Sequence, residues 1–357
     1  MASSLNFKAI ATKAGVSSAT VSYALSGKAG VSEKTRKRIV AIAEAVGYKP
    51  DAALVTLMAH VSTRRSRTPT ATLALITDHG GPRPWSGNLS VRALWEGAGA
   101  RALELGYRLE EFWYGEPGLS PTRLRNILIA RGIQGLLFSS ANTFNLRLDF
   151  DCSGFACAMS GLCFSEPAVS YVLPHHHRNM QIMWERVHAL GYRRPLLALP
   201  GGASERMEHM AEAAYFYFCS VHPDVRGLPV YRSNDYEHAP FKAFVDEHRP
   251  DVIACTMGDW VKRLGTRVPR EMGFVSLNWA EGDKHLAGVD RRLKDQAACV
   301  VDMVVAALHR RELGVPKVRK EVFVAGRFVD GPSLPPRKVR AAAAGLRARQ
   351  PLLGLTK

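Results

Sequence analysis

The sequence predicts an all-α N-terminal domain followed by an α/β core of two doubly wound parallel sheets. Three observations lead to this fold class. Residues 7–47 carry apolar side chains at helical spacing, and a two-residue turn interrupts them. From residue 72 onward, short strand-like runs alternate with helical runs. The positive charge is concentrated at the two ends of the chain, and the long middle part is nearly neutral.

The N-terminal domain, residues 1–50, is predicted to contain three helices. The first ends at Gly15, which suits a left-handed cap, and Ser17 stands at the N-cap position of a second helix over residues 18–25. Ser32 occupies the N-cap position of a third helix. The very short link between the first two helices predicts a helix-turn-helix.

The charge distribution indicates a polyanionic partner. Of the net charge of +16, residues 1–68 contribute +8, from eleven Lys and Arg against three acids. The C-terminal tail, residues 333–357, is also basic and rich in alanine. A basic N-terminal domain favours nucleic acid as the partner. The alternative, a charge that serves only solubility, predicts basic residues spread evenly along the chain.

Three segments, "AGVSSATVSYALSG", "VSEKTRKRI" and "AEAVGYKPDAALVTLMA", resemble the LacI/GalR family of bacterial transcription regulators. The resemblance implies that the second helix enters the major groove of double-stranded operator DNA. The implied base contacts are Ser18, Ala19, Ser22 and Tyr23. The implied contacts to the DNA backbone are Ser17, Thr20, Ser32, Lys34 and Thr35.

Tyr23 departs from the family, which usually has Arg or His at this position. A tyrosine donates one hydrogen bond and can pack on a thymine methyl group, but it cannot hold guanine with two parallel bonds as arginine does. An operator centred on the usual bases of the family is therefore not expected.

Residues 51–70 are predicted to form a hinge helix and a linker. In the family, the hinge helix pairs with that of a second subunit in the minor groove, which implies DNA contacts for Ala53 and Leu57. Leu57 matches a leucine that wedges between base steps and kinks the DNA. The alternative is that Leu57 packs only in the seam between the two subunits. The segment "STRRSRTPT" then reads as a basic linker.

Strands and helices are predicted to alternate through the core, residues 71–332. The strands are expected at 72–77, 108–114, 134–139, 168–172, 195–199, 228–232, 252–256, 272–277 and 321–327. The helices are expected at 89–105, 121–131, 177–190, 204–221, 238–248 and 293–312. This order predicts parallel sheets covered on both faces.

The core also resembles the periplasmic-binding-protein-like core of the LacI family, in which a ligand binds between two subdomains. The resemblance implies an N-subdomain of about 71–173 plus 290–314 and a C-subdomain of about 174–289 plus 315–332. Ligands in such sheets bind at the carboxyl ends of the strands. The candidate effector-binding residues, which follow predicted strands or match the family's pocket, are Asp78, Trp85, His175, Arg206, Asp259, Asn278 and Trp279.

This set of residues differs from a sugar pocket. Asp259 is kept, but Asn278 and Trp279 stand where the family usually has acids. We therefore expect an effector that is anionic, or that carries an aromatic or amide group. The alternative is that no effector exists and that the cleft serves protein–protein control.

The run His175–His177 raises the question of a metal site, because imidazole is a common metal ligand. Three consecutive side chains cannot converge on one ion from a regular helix or strand. We expect no metal and no cofactor. His175 falls where the family usually has an aspartate, and His176 and His177 are expected on the surface at the start of a helix.

The sequence contains no G-x-S-x-G, H-E-x-x-H, Walker or G-x-G-x-x-G motif, so we do not expect an enzyme. Its six cysteines form no C-x-x-C pair and suggest reduced thiols. Neither an export signal nor a membrane-spanning run is seen, and we expect a cytoplasmic protein without a membrane partner.

Together these features predict a DNA-binding transcription regulator, with repression expected, whose operator affinity a small molecule modulates. The leucines of the tail form no sustained heptad pattern, so we expect a homodimer. The alternative is a solute-binding module with the same core fold. That class of protein carries an export signal and has no basic N-terminal domain. A hydrolase on the same sheets is disfavoured by the absence of a nucleophile motif.

Overall fold

The structure, a computed structural model, describes residues 9–25, 31–46, 71–78, 81–83, 89–141, 146–162, 164–235, 237–265 and 267–337. The chain divides into two compact units, Met1–Thr68 and Pro69–Lys357. Among the described residues, no helix combines the length and the apolar character of a bilayer-spanning segment.

The described residues of the first unit form helices and the turns beside them, as predicted. Its helices are α1 (residues 9–14 of the described part), α2 (Ser18–Leu25) and α3 (Glu33–Ala45). Small and branched apolar side chains from all three helices form one buried core. The members of this core are Ile10, Ala11, Ala14, Val21, Ala24, Ile39 and Ala43.

The second unit is built from strands and helices in alternation, which confirms the predicted α/β class. The strands are β1 (Ala71–Asp78), β2 (Tyr107–Trp113), β3 (Gly135–Ala141), β4 (Leu146–Arg147), β5 (Ala156–Ser160), β6 (Phe164–Glu166), β7 (Ser170–Pro174), β8 (Pro195–Leu199), β9 (Tyr231–Arg232), β10 (Val252–Cys255), β11 (Gly273–Trp279), β12 (Ala287–Asp290), β13 (Glu321–Val324) and β14 (Arg327–Val329). The helices are α4 (Leu89–Glu104), α5 (Pro121–Ala130), α6 (His176–Ala189), α7 (Ala203–Arg206), α8 (Met210–Val221), α9 (His238–His248), α10 (Trp260–Arg263) and α11 (Leu293–Arg310). A short helical segment at Arg267–Arg270 is interrupted by the extended residue Val268.

Two six-stranded sheets carry the core. The first has the order β13-β7-β5-β3-β1-β2, and all of its strands are parallel. The second has the order β14-β12-β11-β10-β8-β9, and only the edge strand β14 is antiparallel. Strand β1 has five consecutive buried residues, which is typical of a parallel strand covered on both faces.

Helices cover both faces of each sheet. Helices α4 and α11 pack against each other on the first sheet, and α6 and α8 pack together on the second. The buried side chains of α6 follow helical spacing, which explains why this segment is a helix that lies on a sheet. They are His176, Asn179, Met180, Met183, Trp184 and Val187.

The observed elements differ from the predicted ones at several places. Strands β4, β5, β6 and β12 were not predicted, and the strand expected over 228–232 is reduced to β9. The helix expected over 204–221 is two helices, α7 and α8. The strand expected over 321–327 is also two strands, one in each sheet. Residues 321–324 therefore belong to the first sheet, whereas the expected boundary at residue 315 placed them in the second subdomain.

Candidate functional site

The turn between α1 and α2 has the geometry of a tight helix-turn-helix. Gly15 has a φ of +61°, a conformation that a glycine adopts without strain. The N–H groups of Gly15 and Val16 donate to the carbonyl oxygens of Thr12 and Ala11, at 3.3 and 3.1 Å. These bonds satisfy two of the carbonyl groups at the end of α1 and set the direction in which α2 leaves.

Helix α2 buries one side and exposes the other. Val21 is fully buried, whereas Ser18 is exposed and Tyr23 keeps 47% of its surface accessible. Ala19 and Ser22 belong to the same helix, but their side chains lie outside the described part. The two described base-contact candidates, Ser18 and Tyr23, are thus both on accessible surface.

The candidates for contacts to the DNA backbone cap two helices. The Ser17 hydroxyl accepts a hydrogen bond from the Thr20 N–H at 3.1 Å, and the two hydroxyls are 2.8 Å apart. Ser32 and Thr35 repeat this arrangement at α3, with distances of 3.3 and 2.8 Å. Such N-termini carry a partial positive charge and polar groups that suit phosphate. Lys34 is exposed in the first turn of α3.

Three of the predicted site residues lie outside the described part of the chain. They are Ala53, Leu57 and Trp85.

The remaining effector candidates lie at the carboxyl edges of the two sheets. Asp78 ends β1 and His175 follows β7 in the first sheet. In the second sheet, Arg206 closes α7 after β8, and Asp259 lies between β10 and α10. Asn278 and Trp279 end β11.

Two of these candidates make hydrogen bonds within the second sheet. The Asn278 side-chain amide donates to the Thr256 carbonyl oxygen at 2.8 Å, which ties the ends of β11 and β10 together. The Trp279 indole N–H donates to the Leu286 carbonyl oxygen at 3.1 Å, and its ring packs against the core. Arg206 and Asp259 are exposed. A ligand reaches the two exposed side chains without displacing a packed ring.

A polar cluster next to Arg206 was not predicted. The buried Glu212 carboxylate in α8 accepts hydrogen bonds from Ser204, His209 and Arg232, the one from His209 at 3.1 Å. Burial raises the pKa of Glu212, but these hydrogen bonds outweigh it and hold the pKa below its ordinary value. The cluster anchors α7 to α8 and β9, and so positions the segment that carries Arg206.

The chain crosses between the two sheets at three places. It passes from β7 to α6 at His175, from β12 to α11 at Arg291 and Arg292, and from β13 to β14 at Ala325 and Gly326. The His175 ring accepts a hydrogen bond from the Arg178 N–H at 3.4 Å and lies against Phe323, with ring centroids 5.4 Å apart. His175 is thus the N-cap of α6 at a crossing.

The expectation that His176 lies on the surface is wrong. Its imidazole is only 7% exposed, because it is on the side of α6 that faces the core. Burial lowers the pKa of His176 to about 3, and the charges of Arg291 and His175 act in the same direction. The ring is therefore neutral at physiological pH. His177, by contrast, is partly exposed.

The histidines 175–177 take part in no metal-like cluster among the described residues. The one such group found there joins His188, His222 and Asp224, whose ligand atoms lie within 4.8 Å of one another. Arg193 donates to the Asp224 carboxylate at 2.7 Å. This fixed cation already neutralises the carboxylate and repels a metal ion, so the group reads as a surface ion-pair network.

A cavity with about 360 Å³ of empty space, part of it open to solvent, lies at the carboxyl edge of the first sheet. Apolar side chains of α4 and α11 form one side, and hydroxyl groups at strand ends form the other. The hydroxyls belong to Thr77, Ser139 and Ser160. The apolar residues of α4 are Val91, Leu94, Trp95 and Ala98. Only a small part of this space is enclosed, with room for about one water molecule, and the remainder is open to solvent.

Comparison with known proteins finds a family match within the first unit. Residues 6–51 match the sequence model of the family described as bacterial regulatory proteins, lacI family. The sequence matches none of the curated proteins with which it was compared.

Solved structures match the fold over most of the chain. The transcriptional regulator CelR in complex with cellobiose is 16% identical, with a TM-score of 0.53, and the match covers 92% of this chain and 99% of that one. The lac repressor dimer bound to operator and the anti-inducer ONPF is 16% identical, with a TM-score of 0.55 and coverages of 91% and 98%. A periplasmic binding protein/LacI transcriptional regulator from Alkaliphilus metalliredigens, in complex with D-xylulofuranose, is 10% identical, with a TM-score of 0.54 and coverages of 74% and 98%.

Proposed function

We propose that this chain, which carries a lacI-family DNA-binding domain and has the fold of LacI-type regulators, is a sequence-specific transcriptional repressor controlled by a small molecule. The observation that carries the proposal is the match of residues 6–51 to the lacI family. It is supported by the exposed Ser18 and Tyr23 on α2 and by the hydroxyl caps of α2 and α3. The proposal includes homodimers that bind two half-sites. It is supported by the lac repressor, a structural neighbour that binds its operator as a dimer.

The proposal gives each predicted part of the chain a role. Residues 1–50 read the DNA, residues 51–70 form the hinge and linker, and the core up to about residue 332 binds the effector. The basic tail, residues 333–357, adds affinity for DNA without sequence preference. The protein acts in the cytoplasm and is not an enzyme.

The ligand of this regulator binds between the two sheets. The candidates Asp78, His175, Arg206 and Asp259 all lie at carboxyl edges, where ligands of doubly wound sheets bind. A ligand that has different affinities for two arrangements of the sheets shifts the dimer between a form that binds the operator and one that does not.

The test is a gel shift with the full chain and DNA from its own promoter region. At physiological salt we expect a specific shift that unlabelled promoter DNA competes away and unrelated DNA does not. Tyr23→Ala should remove much of the preference for the promoter and leave the weaker binding to unrelated DNA, because base contacts specify and phosphate contacts do not. Lys34→Ala is the matched control, since it should weaken binding to both DNAs. The absence of any specific shift for the unsubstituted chain would refute the proposal.

The hinge offers a second test, although Ala53 and Leu57 lie outside the described part of the chain. If Leu57 wedges between base steps, Leu57→Ala should weaken specific binding far more than non-specific binding. Equal loss in both would leave Leu57 only a role in the seam between subunits.

A further inference from the structure

Arg291 is an unusual cation at the junction of the two sheets. It follows the buried strand β12 of the second sheet and precedes α11, which packs on the first. Its guanidinium donates a hydrogen bond to the Ser90 hydroxyl in α4 at 3.4 Å, so its side chain reaches from one sheet's edge to a helix of the other. Removal from water lowers the pKa of Arg291 to about 10, although the neighbouring Asp290 acts in the opposite direction.

No carboxylate of the described residues pairs with Arg291 within 4.0 Å, whereas many arginines of the core have such a partner. The adjacent Asp290 is already engaged. Its carboxylate accepts from the Arg327 guanidinium at 3.0 Å and from the Arg292 N–H at 2.8 Å. Arg291 is half-buried, and a desolvated cation without a counterion is unfavourable.

The other groups next to Arg291 supply no negative charge. The imidazole of His176 is buried and neutral. Ser90 offers only a hydroxyl group. The Gln296 amide donates to the backbone carbonyl of Arg291, and this bond holds the crossing segment in place without contributing charge. The environment of Arg291 therefore fits a bound anion that comes from outside the chain.

The helix that carries Ser90 also lines the cavity at the edge of the first sheet. Val91, Leu94 and Trp95 follow Ser90 in α4, and all three contribute to the apolar side of the cavity. A molecule with an anionic group at Arg291 and Ser90 can thus place an apolar body along the same helix. A neutral sugar would leave the cation without a counterion.

We propose that the effector is an organic carboxylate, whose carboxyl group pairs with Arg291 and Ser90 and whose apolar body lies against the apolar side of α4 beside Trp95. This proposal names the ligand class of the regulator proposed above, and the role of the ligand in regulation rests on that proposed function. The effector class differs from the cellobiose and the D-xylulofuranose named with the similar structures.

The experiment uses pairs of probes that differ only in charge. Binding of benzoate and benzamide, and of 3-phenylpropionate and its amide, to the full chain is measured by calorimetry and by the shift of the thermal unfolding midpoint. We expect each carboxylate to bind at least about tenfold more tightly than its amide, because a charge-assisted bidentate pair forms only with the acid. Cellobiose serves as the neutral sugar probe and should not change the thermal unfolding midpoint.

Arg291→Gln should remove the difference in affinity between each carboxylate and its amide. Arg291→Lys should keep part of it, since lysine retains the charge but lacks the planar fork of donors. Arg292→Gln is the matched control, because Arg292 is the exposed neighbour that faces Asp295 at 4.0 Å. We expect it to bind the carboxylates as the unsubstituted chain does. Circular dichroism of each variant checks that it is folded.

The proposal is overturned if acid and amide bind equally, if neither binds at concentrations up to about 10 mM, or if Arg291→Gln keeps the preference for the acid. It is also overturned if cellobiose binds and the carboxylates do not. These outcomes are independent of the gel shift. A chain that shifts promoter DNA but ignores carboxylates refutes only the effector class, and a chain that binds carboxylates but no specific DNA refutes only the repressor function.

Discussion

The buried imidazole of His176 makes the stability of the core depend on pH. A histidine in the unfolded chain titrates near 6.5, whereas burial and the charge of Arg291 lower the pKa of folded His176 to about 3. At pH values between about 3 and 6.5, His176 binds a proton in the unfolded chain but not in the folded chain. The free energy of unfolding therefore falls as the pH falls through this window, and this contribution is level above about pH 7.

The size of the effect follows from the two pKa values. One group of this kind lowers the free energy of unfolding by about 2 kcal/mol between pH 7 and pH 5. Most carboxylates stay ionised in this range, so they contribute little. His238 contributes in the same direction, because burial also lowers its pKa. A comparison with a His176 variant is therefore needed to isolate the effect of His176.

The assay is urea unfolding of the full chain at both pH values, followed by tryptophan fluorescence. His176→Gln keeps a polar side chain of similar size that does not titrate. Between pH 7 and pH 5 we therefore expect the free energy of unfolding of this variant to fall by about 2 kcal/mol less than that of the unsubstituted chain. His177→Gln retains His176 and is expected to keep the full pH dependence. Parallel losses in the unsubstituted chain and in His176→Gln would refute the assigned burial of this ring.

Two further predictions concern packing and a buried charge. A Cβ atom at Gly97 would clash with the backbone carbonyl of Lys294, so Gly97→Ala should cost about 1–3 kcal/mol. Gly99→Ala in the same helix meets nothing within 4 Å and should stabilise by about 0.5–1 kcal/mol; equal effects in thermal unfolding would contradict the close approach of α4 and α11. Glu212→Gln should cost about 3 kcal/mol by loss of charge-assisted hydrogen bonds to a buried carboxylate. Glu205→Gln, on the exposed side of α7, should change stability by under about 0.5 kcal/mol in the same urea titration.

The DNA-binding unit was predictable because its signals are local. The cap residues Ser17 and Ser32 and the turn residue Gly15 act within a few positions of the elements that they define. Most strands of the core were also predictable, since runs such as β1 are long, apolar and bounded by turns.

The missed features depend on contacts between distant parts of the chain. Strands β5 and β12 are only five and four residues long and contain alanine or glycine, so they gave a weak strand signal. Their place in the sheets comes from long-range pairing with β3, β7 and β11. His176 was misplaced for a similar reason. The polar start of a helix usually faces solvent, and the sequence does not show that His176 lies on the buried side of α6.

The link between β13 and β14 restricts how the two sheets can move. Strand β13 pairs in the first sheet and ends at Val324, and β14 pairs in the second and begins at Arg327. The short tether of Ala325 and Gly326 spans at most about 11 Å between the flanking strand ends even when it is fully extended. The Gly326 N–H also donates to the Asn179 side chain in α6 at 2.8 Å. Sliding of one sheet past the other would pull a strand out of its ladder, so this end of the core works as a pivot. A rotation about this pivot would displace side chains in proportion to their distance from it, so the far end of each sheet would move most.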